Sequence, residues 1–270
     1  MPSFSSDFAN KHVLVTGGSK GIGRYIVEAF LAEGANVSFC ARTIRGDEFS
    51  LFKGATNGAC AVGTAVDIGK PDEIKSWVNQ AAEDFGRIDS VIANASPMIW
   101  EATVEGWENS FRADILGLVT LIDASTPFLE ARVKASENAS LVVISSMAGF
   151  EARHPIAGSP YSTFKRAQAV LAKDYARKLG ALGIRINSIV PGCIETPNIT
   201  LPDGTVQLSQ YQIVKRDNYP FYKSLLDDIS LGRTGIPEEV ANTVIFLASR
   251  LSSFINGAHI VVDGGMSLFF

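Results

Sequence analysis

Short apolar runs rich in β-branched residues recur along the chain and predict strands. Seven of them lie at 12–16, 36–40, 61–66, 89–94, 140–145, 184–190 and 259–263. Several are apolar at consecutive positions, as in HVLVT and SLVVIS, which is typical of strands buried on both faces. The pattern therefore predicts about seven strands in the interior of the protein.

The segments between these runs have the period of an amphipathic helix. One apolar stripe consists of Ile22, Ile26, Val27, Phe30 and Leu31. A second stripe consists of Ile74, Trp77, Val78, Ala81 and Phe85. Because strands and helices alternate, each strand is expected to lead into a crossover helix, which produces a parallel sheet with helices on both faces. We predict an α/β fold of the Rossmann type, with a doubly wound parallel sheet.

The chain of 270 residues is predicted to form one domain over 1–270, because no repeat or low-complexity linker divides it. Open α/β folds often exceed the usual size of roughly 100 to 200 residues as single units. The alternation stops at 197–231, where turn-forming residues are frequent. Four aromatic residues lie there, namely Tyr211, Tyr219, Phe221 and Tyr222. We expect this segment to be a mobile substrate-binding flap.

Composition and charge narrow the functional classes. The content of 46% hydrophobic residues supports a large core. A net charge of −4 and the lack of a dense Lys/Arg run argue against nucleic acid as a partner. The first residues do not resemble a signal peptide, and no run reaches the roughly 18 apolar residues of a membrane span. We therefore expect a cytoplasmic protein without a membrane partner.

The three cysteines are Cys40, Cys60 and Cys193. They are odd in number and widely separated, and they lack the Cys-x-x-Cys or mixed Cys/His spacing of zinc sites. We expect them to be reduced and the protein to hold no metal.

The first predicted strand leads directly into the glycine-rich segment TGGSKGIG at 16–23, which an amphipathic helix follows. Glycine permits close backbone approach, and the N–H groups and dipole of a helix N-terminus attract a pyrophosphate. This context favours a dinucleotide site over the alternative of a simple tight turn. The predicted contacts are Gly17, Ser19, Lys20, Gly21, Ile22 and Gly23. A Walker A loop is excluded, because Arg24 and Tyr25 stand where Lys and Ser/Thr would be required.

The end of the second predicted strand indicates which dinucleotide is bound. An acidic residue there would bind the ribose hydroxyls of NAD, but Ala41 occupies the position, and Arg42 and Thr43 follow it. Arg42 and Lys20 present positive charge suited to a 2′-phosphate, which predicts NADP(H). Two charge-assisted hydrogen bonds of about 1.5–3 kcal/mol each can shift the preference by about two orders of magnitude or more. The alternatives are that Arg42 is a solvated surface residue and that the cofactor is NAD(H).

Tyr161 and Lys165 are four positions apart in YSTFK, so their side chains share one face of the predicted helix. Reduction of a carbonyl needs a proton donor, and the usual tyrosine pKa of about 10 is too high for reversible transfer at neutral pH. An ammonium at roughly 4 Å, at an effective dielectric of about 20, contributes about 4 kcal/mol, or up to about three pKa units. We predict that Tyr161 donates the proton and that Lys165 lowers its pKa. The alternative is an ordinary helix face.

Seven segments, in order, resemble the short-chain dehydrogenase/reductase family. They are the glycine loop at 16–23, DI at 67–68, NAS at 94–96, ISSMAG at 144–149, YSTFK at 161–165, NSIVPGCIET at 187–196 and VVDGG at 261–265. The resemblance covers nearly the whole chain. It implies an oxidoreductase that interconverts alcohol and carbonyl groups with a nicotinamide cofactor. It also implies a homo-oligomer, with a tetramer expected and a dimer as the alternative.

The resemblance implies roles for individual residues. Asp67 and Ile68 would hold the adenine, Asn94 and Ala95 would line the cofactor, Ile194 and Thr196 would hold the nicotinamide carboxamide, and Gly192 is counted among the cofactor contacts. Lys165 would bind the nicotinamide ribose. Ser146, just past a predicted strand, would polarise the substrate carbonyl. Ser145 is the neighbouring candidate, and its alternative role is a structural hydrogen bond.

Two departures from the family pattern affect the expected chemistry. Asp114 stands where the family usually has an asparagine whose backbone supports a water that leads to the lysine. If the backbone carbonyl does that work, an aspartate is tolerated, whereas an ionised carboxylate would oppose the effect of Lys165 on Tyr161. We expect Asp114 to impair catalysis modestly. The stretch from Ser146 to Tyr161 is also slightly long, with Arg153 and His154 inside it, which predicts an individual substrate wall.

The predicted function is an NADPH-dependent carbonyl reductase, reversible as an alcohol dehydrogenase. Its substrate would be a bulky hydrophobic or polyketide-like compound of secondary metabolism. Met98, Trp100 and Trp107 with the flap aromatics would form an apolar pocket, although all three are also candidates for the core. The alternative function is a cofactor-bound protein without net redox chemistry, such as a cyclase, an isomerase or a ligand sensor.

The remaining candidates receive structural interpretations. His12 and His259 lie on predicted strands and are expected to be satisfied structural groups. Cys193 is expected to fill space near the nicotinamide rather than to act as a nucleophile. The apolar ending MSLFF is expected to be buried against another subunit.

Overall fold

The computed structural model describes residues 5–44, 55–56, 58–151, 158–200 and 204–268. The strands are β1 (His12–Thr16), β2 (Asn36–Ala41), β3 (Ala61–Ala65), β4 (Ser90–Ala93), β5 (Ser140–Ile144), β6 (Arg185–Pro191), β7 (Ile199–Thr200), β8 (Val206–Gln207) and β9 (His259–Val262). The α-helices are α1 (Ser5–Phe8), α2 (Gly21–Ala32), α3 (Pro71–Phe85), α4 (Val104–Ser110), α5 (Gly117–Lys134), α6 (Pro160–Gly180), α7 (Gln210–Asp217), α8 (Tyr219–Asp228) and α9 (Pro237–Ala248). A π-helical turn spans Phe111–Leu116, and 3₁₀ turns span Met147–Gly149 and Arg250–Ser252.

Seven of the described strands form one parallel sheet in the order β3-β2-β1-β4-β5-β6-β9. The register places Val13 of β1 opposite Val37 of β2 on one side and Ser90 of β4 on the other. The chain runs outward from β1 to β3 and then returns to the other side of β1. The connections that follow β1 and β4 therefore lead to opposite sides of the sheet. This divergence leaves a crevice at the carboxyl ends of the two strands. The predicted seven-stranded Rossmann-type sheet is confirmed.

Helices cover both faces of the sheet and form two cores. On one face, α2 contributes Ile26 and Phe30, which pack in a cluster with Val244 of α9. On the other face, Trp77 of α3 lies in a cluster with Leu121 of α5 and with α6. Each fully buried large apolar side chain contributes about 1.5–3 kcal/mol. The two apolar stripes read from the sequence thus lie on the buried helix faces, with Ile22 and Phe85 half-buried at their ends. Every residue of β1 is buried because both sides of the sheet are covered.

The segment 197–231 contains regular structure in addition to turns. β7 and β8 pair as an antiparallel hairpin, and α7 and α8 follow it. Two of the turn-forming residues, Ser209 and Asn218, are helix N-caps. Ser209 Oγ accepts from the N–H of Gln212, at 3.4 Å, and Asn218 Oδ1 accepts from the N–H of Phe221, at 3.2 Å. Ser209 begins α7, and Asn218 ends α7 and begins α8, so the capping residues contribute to the irregular pattern of this part of the sequence.

The two strand histidines make structural contacts, as expected. His12 is fully buried, with Nδ1 lying 2.6 Å from the carbonyl oxygen of Arg87 and Nε2 lying 2.9 Å from Ser38 Oγ. His259 Nδ1 lies 2.6 Å from Ser188 Oγ. Burial lowers the pKa of both imidazoles. Over the described part of the chain, no helix has the length and apolar character needed to cross a membrane.

Candidate active site

A deep cleft opens at the carboxyl edge of the sheet, beneath α7 and α8. All of the predicted cofactor contacts line it, namely Gly17, Ser19, Lys20, Gly21, Ile22, Gly23, Arg42, Thr43, Asp67, Ile68, Asn94, Ala95, Tyr161, Lys165, Gly192, Ile194 and Thr196. Ser146 lines the same cleft, whereas Asp114 does not. The structure therefore brings together every predicted site residue except Asp114, which lies behind the cleft wall.

The glycine loop has the shape and the donors that a pyrophosphate needs. Gly17 has φ +72°, in the left-handed region, and a Cβ at Gly23 would lie 2.1 Å from the carbonyl oxygen of Gly17. The N-cap of α2 is Lys20, whose side chain makes no capping hydrogen bond. The first-turn N–H groups therefore face the cleft without a side-chain cap, where an anion can accept from them. These features fit a dinucleotide.

Asn94 braces the loop from the neighbouring strand. Its Nδ2 donates to the carbonyl oxygens of Thr16, at 2.9 Å, and Gly17, at 3.3 Å. Thr16 Oγ1 in turn accepts from the N–H groups of Asn94, at 2.9 Å, and Ala95, at 3.0 Å. The two strands on either side of the crevice are thus joined by side-chain hydrogen bonds. Asn94 shapes the cleft through these bonds.

Tyr161 lies in the first turn of α6, which begins at Pro160. Its side chain hydrogen-bonds with Ser146, and its N–H donates to the carbonyl oxygen of Ile99, at 3.1 Å. Ser146 is held in turn, because its Oγ accepts from the N–H of Ala148, at 3.2 Å. The two hydroxyl groups are therefore close enough to reach one substrate oxygen together.

Lys165 is 3% exposed and is fixed by two hydrogen bonds. Its Nζ donates to the carbonyl oxygen of Ile144, at 2.8 Å, and to Gln168 Oε1, at 3.0 Å. The same Nζ lies 5.9 Å from the centroid of the Tyr161 ring. Ser145 Oγ donates to the backbone carbonyl of Lys165, at 2.6 Å, which supports the structural interpretation of Ser145.

The acidity of Tyr161 differs in direction from the expectation. The pKa of Tyr161 is raised to about 12, mainly by burial and to a smaller extent by the Asp114 carboxylate, while the hydrogen bond with Ser146 acts in the lowering direction. Burial also lowers the pKa of Lys165, which Asp114 opposes. Removing a phenolate from water is costly, and the ammonium is engaged by Ile144 and Gln168 rather than by the phenol oxygen. The helical spacing predicts that Tyr161 and Lys165 lie close together, but it does not predict how burial and nearby charges combine to set the pKa of Tyr161.

Asp114 is 1% exposed and lies in the π-helical turn. Its carbonyl oxygen accepts from Gln168 Nε2 at 2.9 Å, and its Oδ1 accepts from the same atom at 3.3 Å. Asp114 Oδ2 is buried without a hydrogen-bond partner. Burial raises the pKa of this carboxyl, and Lys165 and hydrogen bonds from Ser96 and Gln168 oppose the rise. No sequence motif identifies Gln168, although its position three residues after Lys165 places it on the same helix face.

One wall of the cleft carries several aromatic side chains. Trp100 lines it and lies against Tyr161, whereas Trp107 packs edge-on against Phe164, outside the cleft. Met98 lines the cleft and is 47% exposed. Tyr211 and Phe221, two of the four aromatic residues singled out within 197–231, also line the cleft. The expected apolar pocket is therefore built from part of the predicted set.

Cys193 is buried and its Sγ donates to Met266 Sδ, at 3.7 Å. Tyr211 hydrogen-bonds with the same cysteine, and burial raises the pKa of Tyr211 well above its usual value. These contacts support the interpretation of Cys193 as a space-filling residue. Arg153 and His154 lie outside the described residues.

Glu195 is a further residue that the sequence did not reveal. Its Oε1 accepts from Gln212 Nε2 of α7. Its Oε2 accepts from the Tyr222 hydroxyl of α8, at 3.3 Å, and from Thr234 Oγ1, at 3.1 Å. One carboxylate next to the cleft residues Ile194 and Thr196 thus hydrogen-bonds with both α7 and α8.

Comparisons with known proteins agree with this geometry. The family model described as enoyl-(acyl carrier protein) reductase matches residues 17–267. The chain is 42% identical over 259 residues to an isoepoxydon dehydrogenase of Penicillium expansum, with 94% of each chain covered. It is 30% identical to a short-chain dehydrogenase/reductase of Botryotinia fuckeliana, over 97% of this chain and 98% of that one.

Among solved structures, the crystal structure of levodione reductase matches with a TM-score of 0.83 over 97% of this chain and all of that chain. At 24% identity, this likeness shows the fold. The family model and the relatives go further, because they match the chain almost from end to end. The chain therefore belongs to the short-chain dehydrogenase/reductase family and is an oxidoreductase that acts on alcohol or carbonyl groups with a nicotinamide cofactor.

Proposed function

We propose that this oxidoreductase uses NADP(H) and interconverts a bulky, largely apolar alcohol and its carbonyl compound, with Tyr161 as the proton donor. The observation that carries the proposal is the hydrogen-bonded pair of Tyr161 and Ser146, beside the buried Lys165, in a cleft that also contains the glycine loop. This combination supports acid–base chemistry next to a dinucleotide.

The proposed roles follow from the positions of the side chains. When bound, the nicotinamide cofactor supplies a hydride to the carbonyl carbon or accepts one from the alcohol. In reduction, the Tyr161 hydroxyl donates its proton to the carbonyl oxygen, and Ser146 hydrogen-bonds to that oxygen as negative charge develops on it. Lys165 stabilises the resulting phenolate by its charge. Trp100 excludes water from the reacting end of the cleft.

The preference for NADP(H) rests on the end of β2. Ala41 offers no carboxylate to ribose hydroxyls, and the exposed side chains of Arg42 and Lys20 line the same cleft. Two cations near a 2′-phosphate favour the phosphorylated dinucleotide.

The aromatic wall supports a substrate with a large apolar surface. Because a relative with 42% identity is named isoepoxydon dehydrogenase, isoepoxydon is the first alcohol to test. A non-redox role is disfavoured, since the relatives with extensive coverage are named dehydrogenases and reductases. The role of 197–231 as a mobile flap, the homo-oligomeric assembly and the cytoplasmic location stay predictions.

The decisive experiment measures NADPH oxidation against a panel of ketones, and NADP+ reduction with isoepoxydon, for the wild type and Tyr161→Phe. We expect turnover by the wild type and a loss of about a hundredfold or more in the variant, in the range typical of a removed general acid. Equal rates for the two proteins would contradict the proposed role of Tyr161. Absence of turnover in both, with the cofactor bound, would favour the non-redox alternative.

A further inference from the structure

The side-chain amide of Gln168 lies between a buried cation and a buried turn. Gln168 is 4% exposed, so neither end of the amide is solvated. Its Oε1 accepts from Lys165 Nζ, at 3.0 Å. Its Nε2 donates to the carbonyl oxygen of Asp114, at 2.9 Å, and to Asp114 Oδ1, at 3.3 Å. One side chain therefore connects α6 to the π-helical turn at the base of the proposed site.

The orientation of this amide follows from hydrogen-bond chemistry. An ammonium has only donors, so the oxygen of the amide must face Lys165. The amide nitrogen then faces Asp114, whose carbonyl and carboxylate oxygens can both accept. Glutamine is the residue that provides an acceptor for one group and a donor for the other at this length. Leucine would satisfy neither, and glutamate would present a second acceptor to Asp114.

We propose that Gln168 is a positioning residue, which holds the Lys165 ammonium beside Tyr161 and keeps it apart from the Asp114 carboxylate. This inference rests on the proposed function, because it assumes that Lys165 supports proton transfer at Tyr161. The amide oxygen accepts a hydrogen bond from the buried ammonium without neutralising it. The positive charge of Lys165 can therefore stabilise the phenolate of Tyr161. The carbonyl oxygen of Ile144 also accepts a hydrogen bond from Lys165, and the side chain of Ser146 hydrogen-bonds with Tyr161.

The ionisable groups that act on this pair come from three elements. Asp114 of the π-helical turn acts on both Lys165 and Tyr161. Tyr161 lies on the same helix as Lys165, and Tyr211 of α7 interacts with Tyr161. Gln168 is uncharged and touches two members of this set, Lys165 and Asp114. Replacement of Gln168 should therefore change the pKa values of these neighbouring groups as well as the stability of the fold.

Two variants give opposite expectations for Lys165. Gln168→Met keeps the size of the side chain and removes the acceptor, so the charged form of Lys165 is less favoured and its pKa falls. Gln168→Glu is nearly isosteric and places a carboxylate next to the ammonium, so the pKa of Lys165 rises. We expect shifts of about one unit, a tenfold change in the protonation equilibrium. NMR titration of isotope-labelled lysine side chains measures this directly, with Lys165→Met assigning the signal.

Asn138 provides a matched control. Its Oδ1 accepts from Arg185 Nη2, at 3.1 Å, and its Nδ2 donates to the carbonyl oxygen of Ala248, at 2.6 Å. It is therefore another amide that bridges a cation and a carbonyl, at a distance from the cleft. Asn138→Leu should lower the Tm and leave the Lys165 titration and the pH profile of turnover unchanged.

Gln168→Met should lower kcat about tenfold at saturating substrate and shift the pH profile, with a smaller effect on KM.

The proposal is overturned if either Gln168 variant folds and Lys165 titrates as in the wild type, since Gln168 would then only fill space. It is also overturned if both variants move the Lys165 pKa in the same direction. The titration requires no turnover, so it tests Gln168 even if no ketone is reduced. A wild type that turns over no substrate would contradict the proposed function alone.

Discussion

The ring of Trp100 lies 4.5 Å, centroid to centroid, from the ring of Tyr161, at an interplanar angle of 41°. The indole thus covers one face of the proposed proton donor at the wall of the cleft. Contacts of this kind bury the phenol and so contribute to the raised pKa of Tyr161. They also offer an apolar surface to a substrate that reaches the hydroxyl.

Trp100→Ala should lower kcat/KM for bulky apolar substrates by about tenfold, because an aromatic contact contributes up to about 1.5 kcal/mol beyond its buried area. Trp100→Phe should retain most of the activity. Steady-state kinetics with a large and a small ketone check this. Trp107→Phe is the control, since Trp107 packs on Phe164 outside the cleft. An unchanged kcat/KM for Trp100→Ala with the large ketone would show that the ring does not contact substrate.

Asp114→Asn should lower the pKa of Tyr161, because the carboxylate is one of the groups that raise it. Alcohol oxidation requires the phenolate, so the rising limb of its pH–rate profile should move to lower pH and the rate at neutral pH should increase modestly. An ultraviolet difference titration against Tyr161→Phe measures the same shift without turnover. If neither the rate nor its pH profile changes, the Asp114 carboxylate has no part in the chemistry.

Arg42→Ala should lower kcat/KM for NADPH by about ten- to a hundredfold and leave the value for NADH nearly unchanged, which corresponds to one charge-assisted hydrogen bond. Lys20→Ala should act in the same direction. Kinetics with both nucleotides at the same substrate concentration check this. Ala41→Asp is the complementary variant, expected to improve NADH. Equal values of kcat/KM for the two nucleotides in the wild type would contradict the proposed preference.

Glu195→Gln should loosen the flap helices, because the carboxylate accepts hydrogen bonds from Gln212 of α7 and Tyr222 of α8. We expect an increase in KM of several-fold, about 1 kcal/mol, and faster proteolysis within 197–231. Asp227→Asn is the control on α8, since Asp227 binds the exposed Lys223, at 3.0 Å. Equal proteolysis of the two variants would mean that Glu195 does not restrain the flap.

Acidification should destabilise the protein through the buried His12. Burial lowers the pKa of His12 below its usual 6.5, so the folded state holds a neutral imidazole that the unfolded chain would protonate. The contribution is fully present above pH 6.5 and is lost as the pH falls from 6.5 toward the lowered value. Chemical unfolding between neutral and mildly acid pH should show this decline. His12→Asn should be less stable at neutral pH and show a shallower pH dependence. A wild-type stability that is constant through this range would contradict the prediction.

The architecture was predictable from the sequence because its signals are local. Consecutive apolar positions mark β1, helical periodicity marks the faces of α2 and α3, and glycines between a strand and a helix mark the dinucleotide loop. Parallel strands bring their carboxyl ends to one edge of the sheet, so residues that follow different strands converge there. This is why Ser146, Tyr161 and the glycine loop were expected to share a cleft, and they do.

Only the tertiary structure decided the hydrogen-bond partners and the pKa values in the proposed site. Gln168 meets Asp114 across 54 positions of sequence, and Glu195 meets Tyr222 across 27. No spacing rule predicts such partners, because they depend on how separate elements pack. The pKa of Tyr161 likewise rises, where the spacing to Lys165 alone predicted a decrease. Desolvation depends on everything that surrounds a group in three dimensions, whereas helical spacing reports only its neighbours along the chain.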